Sequence, residues 1–333
     1  MFYRSQMTHN SVMQPLRLEL PADLGIGQVN AYLFTQPEIV LVDAGIKTDA
    51  CWAALVDGLA LHGIAPADIA RIVISHTHVD HYGLAGRLVA ESDATVWVSE
   101  LGAPWLTAAD ALWQERLVYY RDDFLRHLGL PADVVATTLH GLEQLTTRID
   151  PVPAERVVPF HMDGVLQMGG QAWQVIHTPG HASMQTVFYQ PEARQLLSAD
   201  MLLAVTPTPV VEQPPPGVGG RVPALPLFVR SLALVEALDV ATVYPGHGRP
   251  FGDHRRVIAR QRERITQRRE ECLGYVRAGL ARVPELLDAM YAHRPPATRL
   301  AGLWMLIGYL DLLSEDGLVS QEVIDDVWHY RAA

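Results

Sequence analysis

The residues whose types and spacing could do chemistry gather first in His76-Thr77-His78-Val79-Asp80-His81. Three imidazoles and a carboxylate so close together have no obvious packing role, and imidazole with carboxylate is the donor set of borderline and hard divalent cations. The preceding Arg71-Ile-Val-Ile-Ser75 reads as a short apolar strand. His76 therefore falls at a strand's carboxyl end, where open α/β sheets place their ligand sites. In an extended turn His76 and His78 alternate, so both rings can face one point, while Asp80 and His81 open the next helix and can face a second. A polar loop with Asp80 as helix N-cap would explain any one of these residues, but not all four together.

Three further candidates stand at the ends of apolar runs: His181 in Thr178-Pro-Gly-His181, Asp200 in Leu196-Leu-Ser-Ala-Asp200, and His247 in Tyr244-Pro-Gly-His-Gly248. Pro-Gly before a histidine makes a tight turn that projects the imidazole above a sheet. Each alone reads as structural.

Taken in order, HTHVDH, TPGH, a strand-ending aspartate and PGHG resemble the metallo-β-lactamase superfamily. The resemblance runs from Asp43 to His247 and implies an α/β fold, the four-layered αβ/βα sandwich, with two metals at the edge between its sheets. It implies His76, His78 and His181 around the first cation, Asp80, His81 and His247 around the second, and Asp200 bridging them. Asp43, in Ile39-Val-Leu-Val-Asp43-Ala-Gly45, would then support the site from behind its ligands. By composition alone it is equally an aspartate starting the turn before Gly45. His177 and His161 read as core or supporting residues rather than ligands. Two departures stand out. Ala199 precedes Asp200 where family members commonly have glycine. The cysteine that holds the second metal in antibiotic-degrading members is missing, which argues against lactam hydrolysis.

The elements that must position these residues follow from periodicity. Strands are predicted near 16–20, 28–35, 38–42, 71–75 and 95–98, with helices near 48–61 and 81–91. Strands near 165–167, 172–177, 185–190, 195–199 and 241–244 form a second block, so two packed sheets are expected. Between the blocks, 101–146 reads as a helical insertion of two helices broken around Leu130-Pro131. Its Trp105, Trp113, Tyr119, Tyr120 and Phe124 suit core packing first and a pocket wall second. Gln213-Pro-Pro-Pro-Gly-Val-Gly-Gly-Arg221 reads as a loop before a helix near 226–238. Residues 1–251 are expected to form the catalytic domain and 252–333 a C-terminal helical subdomain, helical through 328 with breaks at Pro284, Pro295-Pro296 and Gly317. Its Leu300, Leu303, Leu306 and Leu310 make an apolar face that would dock on the parent domain or, in a homodimer, on a second copy. The runs Gly25-Ile-Gly27 and Gly217-Val-Gly-Gly220 lack the endings of a nucleotide-phosphate cradle.

Composition narrows the function. With 333 residues, 49% of them hydrophobic, the chain can bury a large core. It carries no apolar run long enough for a membrane helix and no secretory leader, so a cytoplasmic protein without membrane contact is expected. Cys51 and Cys272 are its only cysteines, too few for a disulfide framework or a thiolate zinc site. A net charge of -11 argues against nucleic-acid binding by bulk electrostatics. The exception is local: between Arg249 and Arg282 stand ten arginines against four acids.

Two divalent cations about 3.5–4 Å apart, zinc foremost with manganese or iron equally suited to the donors, would share a water, lower its pKa to about 7 and aim it at a carbonyl or phosphorus. Asp80 and Asp200 would be the catalytic carboxylates that orient it or take its proton. Hydrolysis of an ester, thioester or lactone, on the pattern of the glyoxalase II-like branch, is the leading expectation, with a small-molecule substrate. Phosphodiester cleavage is the alternative, since lactamase-like endoribonucleases also carry a helical extension after PGHG, and the arginine-rich segment could track phosphates. A solvated helix with Arg/Glu pairs explains that segment better. Mono-iron sulfur dioxygenation on His76, His181 and Asp200 is a third reading. The di-iron electron-transfer members usually have Glu where this chain has His78.

Overall fold

The computed structural model describes residues 13–24, 27–205, 208–210, 217, 220–293 and 296–333, and for 296–300 the backbone alone. The Gly25-Gly27 and Gly217-Gly220 runs, most of the 213–221 loop and Pro295 of the Pro295-Pro296 break thus lie wholly or partly outside the described residues.

Alternating side chains build two sheets. Strands β1 (Leu16–Ala22), β2 (Gly27–Phe34), β3 (Val40–Val42), β4 (Arg71–Ile74), β5 (Thr95–Ser99) and β6 (Val157–Phe160) form the first in that order. The first two pairings are antiparallel and those from β3 to β6 parallel. The second sheet runs β11 (Thr242–Pro245), β10 (Gln195–Ala199), β9 (Thr186–Gln190), β8 (Gln171–His177), β7 (Val165–Met168), with only β10 and β11 parallel.

Strand alternation assigns each face. In β3, Val40 and Val42 point between the sheets with Phe34, Val73, Trp173, Phe188 and Leu197, while Leu41 points outward. On that outer face Leu41, Ile72, Ile74 and Val96 bury against α1 (Asp49–Ala60), the one-turn α2 (Val79–Tyr82) and α3 (Ala85–Glu91). Thr48 begins α1 by accepting a hydrogen bond from Cys51 N at 3.1 Å. The outer face of the second sheet, with Val187, Leu196 and Val243, buries against α7 (Ala224–Glu236), α8 (His254–Arg277), α9 (Val283–Tyr291) and α10 (Pro296–Glu315). Three apolar cores separated by two sheets make the four-layered αβ/βα sandwich that the motifs implied.

The insertion holds α4 (Ala103–Thr107), α5 (Ala109–Val118) and α6 (Ala132–Leu145), with tighter and wider turns over 119–128. Its break falls at Pro131, which precedes α6. The first of the two expected helices is itself divided. The insertion straddles the sandwich edge: Trp105 and Trp113 belong to the core of the first helical layer, Tyr120, Phe124 and Leu142 to that of the second.

The C-terminal part is not wholly helical, which corrects the reading through 328. After Gly317 the chain forms an antiparallel hairpin of β12 (Val319–Ile324) and β13 (Val327–Ala332). Asp325 and Asp326 make its two-residue turn with φ of 49° and 69°, the left-handed pair that a type I′ turn requires. Residues after 252 share one core with the second sheet and the insertion: Trp304 stacks on Phe124 at 5.0 Å and Trp328 meets it edge-on at 5.9 Å. Leu303, Leu306 and Leu310 are buried in that core within the chain. No helix among the described residues is long and apolar enough to cross a membrane.

Candidate metal centre

Strand ends at one edge of the sandwich deliver every candidate. After β4, Ser75 to His78 run extended and His78 opens α2, so Asp80 and His81 face back toward the strand end. Asp80 is no helix cap; the capping position is His78, without a side-chain bond. His181 follows β8 through the Thr178-Pro-Gly180 turn. Gly180, at φ 139°, lies against Phe228 of α7, where a Cβ would overlap the helix backbone. Asp200 follows β10, and Ala199 before it takes φ 42°. That left-handed conformation is the reason glycine suits the position, and alanine holds it at about 1–2 kcal/mol.

The structure brings His76, His78, His81, His181, His247, Asp80 and Asp200 into one buried cluster. Three overlapping groups each offer ligand atoms within 4.8 Å of one another: His76, His78 and His181; His76, His81 and Asp200; Asp80, His81 and His247. His76 Nε2 lies 3.2 Å from His78 Nδ1. His181 Nε2 is 3.5 Å and His247 Nε2 3.2 Å from Asp200 Oδ2, and His247 Nε2 is 3.4 Å from Asp80 Oδ2.

The far side of four of the five rings is pinned. Asp43 Oδ2 meets His81 Nδ1 at 2.8 Å, and the same carboxylate accepts from Ser75 N at 2.8 Å and Ser75 Oγ at 2.9 Å. Asp43 is thus a support for the cluster, not merely a turn former. His181 Nδ1 meets Pro209 O at 2.6 Å, His247 Nδ1 meets Gln28 O at 2.7 Å, and His76 Nδ1 meets Ser75 Oγ at 3.0 Å. Such partners fix the tautomer and leave the opposite nitrogen free to ligate. His177 bonds Ser183 O and His161 bonds Glu100; neither joins the cluster.

Sequence reasoning did not single out Ser75, Gln28, Pro209 or Asn30. Asn30 donates to Pro245 O at 2.8 Å and Gly248 O at 2.7 Å, stitching the PGHG turn of one sheet to β2 of the other. Gly246 has no room for a side chain: a Cβ would overlap the Asp200 carboxylate and stand 2.9 Å from His81 Cε1.

Metal fits these residues. His81 Nε2, His181 Nε2 and Asp200 Oδ1 are buried without a hydrogen-bond partner, a costly state for polar atoms unless a ligand satisfies them. Electrostatics agree. Burial pushes His76, His78 and His181 below the ordinary imidazole range, helped by neighbouring rings. Burial also opposes charge on His81 and His247, but the carboxylates of Asp200 and Asp80 outweigh it, raising His81 and holding His247 at about 10. Burial would raise Asp80, yet His81 and His247 hold it at about 2, and Asp200 is likewise depressed. Without metal, protons on two imidazoles supply positive charge between the carboxylates; cations would take that place.

The cluster opens on a cavity of about 270 Å³. Thr77, His78, Asp80, His181, Asp200 and His247 form one part of its lining, and Leu24, Trp113, Arg116, Leu142, Leu145, Leu203 and Trp304 another. Of the insertion's aromatics, Trp113 reaches the cavity; Trp105, Tyr120 and Phe124 are buried in the cores.

Fold and cluster together define a protein that gathers histidines and aspartates able to bind metal at the shared edge of two packed sheets. The chain belongs to the metallo-β-lactamase superfamily, whose family model matches residues 24–247. It is 27% identical over 323 residues, 94% of both chains, to "Probable metallo-hydrolase YqjP" of Bacillus subtilis. Among solved structures it is similar to the metallo-β-lactamase family protein TTHA1429 of Thermus thermophilus, with a TM-score of 0.76, 26% identity and coverage of 96% of this chain and 98% of that one. A β-lactamase domain protein of Burkholderia ambifaria shares the fold with a TM-score of 0.74, 23% identity and coverage of 95% and 92%.

Proposed function

We propose that this protein is a metal-dependent hydrolase of an ester, thioester or lactone with an apolar acyl or ring portion. The observation that carries the reading is the cavity, in which the buried His/Asp cluster adjoins a wall of Trp113, Leu142, Leu145, Leu203 and Trp304. Such a wall accommodates hydrocarbon and excludes water from the reacting carbonyl. The relative described as a probable metallo-hydrolase supports the metal-dependent hydrolase part of this reading.

His76, His78 and His181 would hold one cation, Asp80, His81 and His247 a second, and Asp200 both. The chemistry such ions would supply there is a water acidified to a pKa of about 7 and polarisation of a carbonyl. The chain supplies the rest. Asp80 and Asp200, held as carboxylates, accept hydrogen bonds from the attacking water and orient it. Asp43, Pro209 O and Gln28 O keep three imidazoles in the ligating tautomer. The insertion wall positions the acyl group.

Two cations suit the site better than one iron on His76, His181 and Asp200, which would leave Asp80, His81 and His247 as a buried donor set without a task. A phosphodiester substrate has less support. Several arginines after 249 are engaged within the chain: Arg262 with Glu236, Arg268 with Glu271, Arg269 with Asp316 and Arg282 with Glu285. None of the arginines from 249 to 282 lines the cavity.

The test is metal analysis of the purified chain, followed by esters, thioesters, lactones, phosphodiesters and short RNA. Two equivalents of metal with acyl hydrolysis, lost in Asp200→Ala and His78→Ala, are expected. Activity retained in both variants, or one iron with oxygen consumption, overturns the reading.

A further inference from the structure

Arg116 of α5 is an unusual wall residue for an apolar cavity. It is 7% exposed and lines the same space as His78, Asp80 and Asp200. Among the described residues it makes no ion pair, and its Nε is buried without a partner. Among the described residues only rings hold it: its guanidinium carbon lies 4.7 Å from the Trp113 ring centroid, 5.5 Å from that of Tyr120 and 5.9 Å from that of Trp105. These contacts fix the side chain and supply a weak attraction. They satisfy no N–H and offer no counter-charge.

A guanidinium cannot shed its proton to escape burial. Removing it from water without a counter-ion is expensive, and cation–π contacts recover only part of that. A leucine or methionine would complete the wall at far lower cost. The two carboxylates in the same lining do not answer the charge: Asp80 and Asp200 face His81 and His247, and in the proposed function they face cations. Thr77 Oγ1, also in the cavity lining, is another buried polar atom without a partner. A planar, pre-set fork of donors beside the reacting centre matches a carboxylate better than any neutral group.

We infer that Arg116 is a substrate-recognition residue, and that the substrate carries a carboxylate besides the acyl bond that is cleaved. The inference rests on the hydrolase reading for the acyl bond, but the recognition step is measurable without turnover. In the complex the substrate carboxylate accepts from the guanidinium, while its hydrocarbon lies on Trp113, Leu142 and Trp304. Nothing in the sequence pattern marks Arg116, which sits among ordinary helix formers. Its role emerges from the cavity.

The experiment compares two slowly reacting probes of equal length, the monoanion of adipic acid monoamide and the neutral adipic diamide, titrated calorimetrically into the full-length, metal-loaded protein. The expected result is a preference of at least fivefold for the monoanion, falling below twofold in Arg116→Met. A preference below fivefold in the unaltered protein, or no binding of either probe, overturns the inference. So does a preference that Arg116→Met retains, which would place the carboxylate on the metals instead. If circular dichroism shows that the methionine variant has lost helix, Arg116→Lys takes its place. Lysine keeps the charge but not the fork, and a preference undiminished by at least twofold counts against the inference. Hydrolysis of p-nitrophenyl hexanoate, followed in parallel, reports on the hydrolase reading alone: absence of turnover with an intact probe preference would sink that reading and leave the carboxylate site standing.

Discussion

Asp43→Asn removes one charge from the cluster's support while keeping its shape, and the hydrogen bonds around it set the cost. The carboxylate has three donors around it: Ser75 N on Oδ1 at 2.8 Å, and Ser75 Oγ at 2.9 Å and His81 Nδ1 at 2.8 Å on Oδ2. An asparagine can present oxygen on one side only. If its amide nitrogen faces His81, two N–H groups oppose each other unless His81 moves its proton to Nε2, the nitrogen that must be bare to ligate. If the nitrogen faces Ser75 instead, it opposes a backbone N–H that has no other orientation. Without that proton shift, either choice leaves a buried donor unpaired, about 1–3 kcal/mol of folding stability. Loss of a ligand's supporting partner also weakens metal affinity by about 10- to 100-fold, or about 1.4–2.7 kcal/mol. Competition against a chromogenic zinc chelator measures the affinity, and thermal denaturation of the chelated protein measures the stability. Zinc affinity within threefold of the unaltered protein would refute the role assigned to Asp43.

Gly246→Ala places a methyl group where the Asp200 carboxylate and His81 already are; bound metal should fall below half of the unaltered content by elemental analysis, and full metal content would show that the turn yields. The metal-stripped protein should have its highest melting temperature near pH 6.5. His76, His78 and His181 are depressed, so their contribution is complete above pH 6.5 and lost as pH falls toward their folded values. His81 is raised and His247 stands at about 10, so theirs is complete below 6.5 and lost as pH rises through about 10. Zinc, which needs neutral imidazoles, should erase the alkaline decline. A melting temperature of the stripped protein that climbs steadily between about pH 6.5 and 9.5 would contradict these assignments.

Much of the frame was legible in the chain. Short apolar runs that alternate toward two different cores, as Val40, Leu41 and Val42 do, read as strands because period-two burial is local. The Pro131 break was equally plain, since proline's fixed geometry acts on its own neighbours. The C-terminal hairpin was not. Val319-Ser-Gln-Glu-Val-Ile carries weak alternation, and its turn uses Asp325-Asp326 in place of the Asn-Gly pair that would have signalled it. Strand β6 was also missed, being four residues long, interrupted by Pro159 and paired at one edge only to β5.

The candidate ligands were readable because each stands beside its own strand end or tight turn, and those turns are set by a few adjacent residues. What the sequence determined by itself was therefore a set of seven donors and the order in which they occur. Only the tertiary structure decided that they meet, with Asn30 tying a turn of one sheet to a strand of the other and Asp43 reaching from β3 to His81. Only it placed a guanidinium, without an ion pair among the described residues, in an apolar wall built from the insertion and α10. The reason is physical: a turn's conformation depends on neighbours in the chain, whereas a cavity depends on neighbours in space, and nothing in the spacing around Arg116 records that Trp304, nearly two hundred residues away, closes the same pocket.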